Sequence, residues 1–83
     1  MKFKRLKDLR EDQDMYQKDV ADLLGISQQY YSEYESGKRT IPIQHLITLA
    51  KYYNTSIDYI LELTDESKPY KIYQYQPQLR LRL

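Results

Sequence analysis

The chain has 83 residues, 41% hydrophobic and 30% charged, which is enough for one small packed domain. Cysteine is absent, which excludes disulfides and thiolate metal sites, and the net charge of +1 excludes a uniformly basic nucleic-acid binder. Because no apolar run approaches the roughly 20 residues that span a bilayer and no apolar signal segment is present, we expect a cytoplasmic chain without a membrane partner.

The first predicted helix covers residues 3–12, where Phe3, Leu6 and Leu9 share one face. Five basic side chains lie in this stretch or directly before it: Lys2, Lys4, Arg5, Lys7 and Arg10. We therefore expect a locally basic surface there, although the net charge of the chain is small.

Residues 17–37 contain two short helical patterns joined by a three-residue hinge. Gly25 follows the last apolar residue of the first pattern, where glycine can take the left-handed conformation that ends a helix. Ser27 can accept a hydrogen bond from the N–H groups of a second helix that begins at Gln28. A helix, a tight turn and a helix form a geometry that places the second helix in a DNA groove.

The second of these helices has a polar outward face, because Tyr31 and Tyr34 occupy its inward face. The outward residues are Gln28, Gln29, Ser32 and Glu33. A glutamine side chain can pair bidentately with the N6 and N7 edge of adenine, so we predict that this set reads DNA bases. The alternative is that these glutamines are ordinary solvated surface residues.

The segment resembles the helix-turn-helix of the phage repressor and Cro family of bacterial DNA-binding domains. The matching residues are Gln17, Val20, Ala21, Leu24, Gly25, Ile26, Ser27, Gln28, Gln29, Glu35, Gly37, Lys38 and Arg39. Residues 46–50 and 57–61 are similar to the fourth and fifth helices of the family. The resemblance covers roughly residues 3–63, and it implies an all-α, compact five-helix DNA-binding domain over residues 1–64.

The resemblance implies that Gln17 donates to a backbone phosphate from a helix N-terminus and that Lys38 and Arg39 bind phosphates beyond the second helix. Tyr30 joins this group because it lies beside Gln29, near the expected groove face. The predicted phosphate-binding residues are therefore Gln17, Tyr30, Lys38 and Arg39. The alternative for the basic pair is a solvated loop charge.

By the same resemblance, Arg10 and Glu35 form a partly buried ion pair between the first helix and the second helix of the motif. The alternative is direct contact of Arg10 with phosphate. Glu33 departs from the family, some of whose members carry a base-reading glutamine there. Its carboxylate can accept from cytosine N4 or repel phosphate, and the sequence leaves both roles open.

Two further departures concern aromatic residues. Tyr16 stands where the family usually has a Ser or Thr cap, so a short capping hydroxyl is missing. Tyr31 and Tyr34 replace aliphatic core residues, and their hydroxyl groups need hydrogen-bond partners or a path to the surface.

A fourth helix is predicted over residues 43–53, and Ser56 can cap a fifth. The predicted core stripe of the fourth helix is Leu46, Ile47, Leu49 and Ala50. His45 has no neighbouring Cys or His, and no nucleophile–base set, phosphate-binding loop or metal-ligand spacing is present. Neither enzymatic activity nor a metal or cofactor is therefore expected.

Residues 65–83 are predicted to be a linker and a tail with period-two alternation, typical of strands. Such a tail packs on the helices, pairs with a second chain or stays disordered, and we expect pairing across a homodimer. The main prediction is a transcriptional regulator, a repressor, that binds double-stranded DNA in a sequence-specific manner as a dimer. The alternative is a protein-interaction module, such as an antitoxin whose tail binds a protein partner.

Overall fold

Five α-helices pack around one apolar core in the computed structural model, which describes residues 2–69. They are α1 (Lys4–Asp12), α2 (Gln17–Leu24), α3 (Gln28–Ser36), α4 (Ile43–Tyr52) and α5 (Ile57–Ile60). The predicted all-α, five-helix fold is confirmed. The predicted strands and their dimer contacts fall on residues 70–83, outside the described residues. Within residues 2–69, the helices are too short and too polar for any of them to cross a membrane.

The turn between α2 and α3 has the predicted geometry. Gly25 takes the left-handed conformation, with φ 72°, and closes α2. The Ser27 hydroxyl accepts a hydrogen bond of 3.1 Å from the backbone N–H of Tyr30 and so caps α3. A second glycine, Gly37, ends α3 with φ 83°. Glycine suits this position because a residue with a side chain would be strained at this φ. These local signals fix where the two helices meet.

The start of α2 uses a carboxylate in place of the missing hydroxyl cap. The Tyr16 side chain makes no capping hydrogen bond. Asp19 accepts a 2.8 Å hydrogen bond from the Tyr16 backbone N–H, and its negative charge lies in the first turn of the helix, where the dipole favours it. Met15 packs against the core just before this turn.

The core combines aliphatic and tyrosine side chains from every helix. Its buried apolar members are Leu6, Val20, Ala21, Tyr31, Tyr34, Ile41, Leu46, Leu49, Ala50, Tyr53 and Ile60. The prediction that Ile47 belongs to the core is wrong, since its side chain is 41% exposed. The inward stripe of α4 follows Leu46, Leu49 and Ala50 at helical spacing, and Ile47 lies one residue off this stripe.

The stretch after α5 is held against the bundle. The Arg5 guanidinium donates to the Tyr59 and Thr64 carbonyl oxygens and to the Asp65 carboxylate. It also lies 4.0 Å from the centre of the Tyr59 ring. The Thr55 hydroxyl donates to the Ser67 carbonyl oxygen. Arg5 therefore joins α1 to α5 and to the beginning of the region predicted as a linker, while the boundary at residue 64 stays a prediction.

Candidate functional site

The outer face of α3 carries the residues predicted to read bases. Gln28 and Gln29 are exposed in its first turn, and neither side chain forms a hydrogen bond within residues 2–69. Ser32 and Glu33 are half-buried and already engaged: the Ser32 hydroxyl donates to the Gln29 carbonyl oxygen over 2.8 Å. Among the four residues, Gln28 and Gln29 are thus the two whose side-chain amides are not already hydrogen-bonded within residues 2–69.

Glu33 binds Arg39, which follows α3. The Glu33 Oε1 atom lies 2.9 Å from Nε and 2.8 Å from Nη2 of Arg39. The same guanidinium lies 4.0 Å from the centre of the Tyr30 ring, a cation–π contact. The hydrogen bond that Arg39 donates to Glu33 raises the pKa of Arg39, so the arginine stays charged.

The sequence predicts separate roles for Glu33, Arg39 and Tyr30, and it does not indicate that Arg39 contacts both other residues. Gly37 makes the contact possible, because its left-handed conformation reverses the chain after α3. The Arg39 backbone N–H then reaches the Glu33 carbonyl oxygen at 3.1 Å. A helix-ending glycine followed by two basic residues was the signal that could have indicated this return.

Arg10 and Glu35 form a bidentate ion pair that joins α1 to α3. Arg10 Nε donates to Oε2 over 2.8 Å and Nη2 donates to Oε1 over 3.1 Å. The remaining Nη1 donates to the Met15 carbonyl oxygen over 2.9 Å. Both residues are buried. Arg10 therefore lies inside the fold and is not exposed for phosphate contact.

Gln17 completes this buried network from the first turn of α2. Its side-chain Nε2 donates to Glu35 Oε1 over 3.1 Å, so one carboxylate collects donors from α1 and α2. Gln17 is predicted from the sequence to bind a phosphate, and the sequence does not indicate its contact with Glu35. Its position at the N-terminus of α2 still leaves a backbone N–H there without an intrahelical partner.

The ionisation of Glu35 follows from its surroundings. Burial by itself would raise the pKa of this carboxyl, but the hydrogen bonds that Arg10 and Gln17 donate, with the Tyr31 hydroxyl close by, hold the pKa below its usual value. Burial raises the pKa of Tyr31 and of Tyr53 well above the usual range, and the negative Glu35 nearby adds to both shifts. Glu35 is thus ionised and both phenols are neutral near pH 7.

The tyrosines behind the outer face support α3 from within. Tyr34 lies edge-on to Tyr30 and Tyr31, with ring centres 5.6 Å and 6.2 Å apart. The Tyr34 hydroxyl has a partner in His45 Nδ1 at 3.2 Å. The buried Tyr31 and Tyr53 hydroxyls have no partner of normal hydrogen-bond geometry within residues 2–69. Residues 2–69 also contain no cluster of side chains that could hold a metal ion.

An open groove of about 420 Å³ runs between the beginning of α1 and the outer face of α3. Its lining includes Lys2 and Lys7 from the beginning of the chain and Gln29, Ser36 and Lys38 from α3 and the residues after it. Polar atoms that converge in one concavity, beside an exposed pair of glutamines, make this face of the molecule the candidate site for a polar ligand.

Comparison with known proteins adds sequence relatives. A family model described as helix-turn-helix matches residues 6–60. The uncharacterized HTH-type transcriptional regulator YobD of Bacillus subtilis (strain 168) is 36% identical over 69 residues, 83% of this chain and 62% of YobD. The HTH-type transcriptional regulator AnsR of the same strain is 38% identical over 61 residues, 74% of this chain and 53% of AnsR. The matched region thus spans little more than half of these curated relatives. No solved structure matches the chain.

Proposed function

The chain belongs to the helix-turn-helix family, and we propose that it is a transcriptional regulator that binds double-stranded DNA in a sequence-specific manner. The observation that carries the proposal is the pair Gln28 and Gln29 in the first turn of α3, whose side chains are exposed and form no hydrogen bond with the described part of the chain. Amides in this position can pair with base edges once the helix enters the major groove. The relatives YobD and AnsR are both named as transcriptional regulators, which supports the same function.

We call α3 the recognition helix. Base reading requires side chains on a rigid element, because a shift of the helix would break the bidentate geometry. The inner face of α3 meets this requirement, since Tyr31 and Tyr34 are buried in the core and Glu35 is bound to Arg10. The recognition helix is therefore fixed from behind while its first turn stays exposed.

Phosphate contacts are proposed for the residues at the C-terminal end of the recognition helix. Lys38 and Arg39 are exposed there, and Tyr30 lies under the Arg39 guanidinium. Because Glu33 is already paired with Arg39, its negative charge is locally neutralised, which reduces repulsion of phosphate. In this assignment Glu33 orients Arg39 for a phosphate, and Gln17 donates through the N-terminus of α2.

We also propose that the regulator acts as a homodimer on a two-fold DNA site, with half-sites about 34–36 Å apart. Ile43 and Ile47 lie four residues apart on α4 and are 53% and 41% exposed. An apolar stripe of this kind is suited to contact with a second copy. A dimer bound over a promoter would exclude polymerase, so repression is the proposed effect.

The experiment that tests base reading begins with selection of binding sites from a random pool of duplex DNA. Replacement of Gln28 by Ala should weaken binding to the selected site by about 1–3 kcal/mol and relax the base preference at one position. Binding to random duplex should change little, because the glutamine contacts no phosphate there. Fluorescence anisotropy on both duplexes gives the two affinities.

Gln44→Ala is the matched control, since Gln44 is an exposed glutamine in the first turn of α4. This variant should bind both duplexes as the wild type does. Equal losses for Gln28→Ala on selected and random DNA would contradict the base-reading assignment.

A further inference from the structure

The basic residues at the start of the chain differ in what they contact. Arg5 and Arg10 serve the fold, since Arg5 holds the segment after α5 and Arg10 binds the buried carboxylate of α3. Lys2 and Lys7 instead line the groove beside the recognition helix, whereas Lys4 is exposed outside it. None of these three lysines forms an ion pair with another residue in the described range 2–69. The basic stretch thus separates into structural arginines and unpaired lysines.

A glycine brings Lys2 to this groove. A Cβ atom added to Gly37 would lie 3.2 Å from the Lys2 backbone Cα, tighter than ordinary van der Waals contact. The Lys2 backbone therefore rests against Gly37, the glycine that ends α3, and Lys38 follows this glycine in the chain. Lys2 and Lys38 both line the same groove.

The groove is electrostatically positive, although two carboxylates also line it. Glu33 is paired with Arg39 and Glu35 is paired with Arg10, so neither carboxylate is left uncompensated. Three lysines of the groove, Lys2, Lys7 and Lys38, form no ion pair with any residue in the described range 2–69. A concave surface with unpaired charge of one sign concentrates the opposite charge, and the Gln29 amide adds neutral hydrogen-bond donors.

We propose that this groove binds a phosphate of the DNA backbone and that Lys2 and Lys7 are phosphate ligands together with Lys38. Gln29 belongs both to the groove and to the proposed base-reading face, so the lysines lie in the same groove as a residue proposed to read bases. Phosphate contacts on this side of α3 fix the register of the helix in the major groove. The inference rests on the proposed function, because duplex DNA is the ligand.

The test compares two double variants of the full chain, each with two positive charges removed. Lys2→Gln with Lys7→Gln removes two of the three lysines that line the groove. Lys4→Gln with Lys51→Gln removes two exposed lysines outside it. Affinity for the selected and the random duplex is measured by anisotropy over a series of salt concentrations. The groove variant should lower the slope of log K against log salt by about 0.9 per lysine, or about 1.8 in all. Its affinity should fall by the same factor on both duplexes, because phosphates carry no sequence information.

The control variant should keep the wild-type slope. The inference is overturned if the groove variant keeps the wild-type slope or if the control changes the slope equally. The proposed function still stands in that case, provided that Gln28→Ala loses base preference. A wild-type chain that binds no duplex DNA overturns both. Thermal melting checks that each variant folds. If the double variant melts early, Lys7→Gln alone replaces it, since Lys7 is exposed on α1. The expected change in slope is then about 0.9.

Discussion

The recognition helix carries two carboxylates, two residues apart, and an arginine binds each of them in a different environment. In the inner pair, the Arg10 side chain is 11% exposed and that of Glu35 is 6% exposed. In the outer pair, the corresponding values are 45% for Arg39 and 24% for Glu33. The shortest contact between charged atoms is 2.8 Å in both pairs.

Equal distances therefore accompany unequal energies. Loss of one partner from the buried pair leaves a charge away from water, with a large penalty, whereas water solvates a residue left over from an exposed pair. The inner pair fixes the angle of the recognition helix, and its arginine cannot leave without cost. The outer pair lies beside the proposed DNA face, where a phosphate oxygen can share the arginine with Glu33. Burial makes the first pair part of the fold, while the partial exposure of the second is compatible with the phosphate contact proposed for Arg39.

The largest expected effect is on the inner pair. Arg10→Met keeps the apolar stem but leaves Glu35 buried without its counter-ion, so the free energy of unfolding should fall by about 3–5 kcal/mol. Urea denaturation followed by circular dichroism measures the change. Arg39→Met is the matched control on the outer pair and should unfold close to wild type. A similar loss of stability for the two variants would break the distinction between the pairs.

Acid should weaken the inner pair next. The groups that face Glu35 are Arg10 from α1, Gln17 from α2, Tyr31 within α3 and Tyr53 at the end of α4. Because the pKa of Glu35 is lower in the folded chain than its usual value of 4.5, the unfolded state takes up a proton first as the pH falls. The stabilisation is complete above this usual value and is lost as the pH drops through the folded pKa.

Urea denaturation at a series of pH values between about 7 and about 2 checks this prediction. Glu35→Gln should be less stable at neutral pH and should show a smaller further loss in acid than the wild type. Glu33→Gln removes the outer carboxylate from the same helix and should leave the wild-type loss in acid in place. An unchanged acid profile for Glu35→Gln would show that other carboxylates carry the effect.

The sequence predicted the elements that depend on local chemistry. Gly25, Ser27 and Gly37 end or begin helices through the conformation of glycine and the reach of a serine hydroxyl, so neighbouring residues suffice to identify the turn. The exposure of Gln28 and Gln29 followed from the periodicity of a single helix. These features define the outline of the candidate site.

Contacts between elements were less accessible from the sequence. The bond from Gln17 to Glu35 and the return of Arg39 to Glu33 depend on how helices pack and how the chain reverses, which periodicity does not encode. The exposure of Ile47 reflects which of two adjacent stripes α4 presents to the core. That Lys2 lines the groove and Lys4 does not likewise depends on the close approach of Lys2 to Gly37 at the end of α3.

The smallest expected effect on stability belongs to the outer pair. A double-mutant cycle with Glu33→Gln, Arg39→Gln and the double variant tests whether this pair takes part in DNA binding. All three variants should unfold close to wild type, because both side chains are partly solvated. If Glu33 orients Arg39 for a phosphate, each single change disrupts the same contact, and the double variant should bind random duplex as weakly as Arg39→Gln alone. The salt slope should fall by about 0.9 for Arg39→Gln. Additive losses would mean that the two residues act independently, and a loss confined to the selected duplex for Glu33→Gln would assign its carboxylate to a base instead.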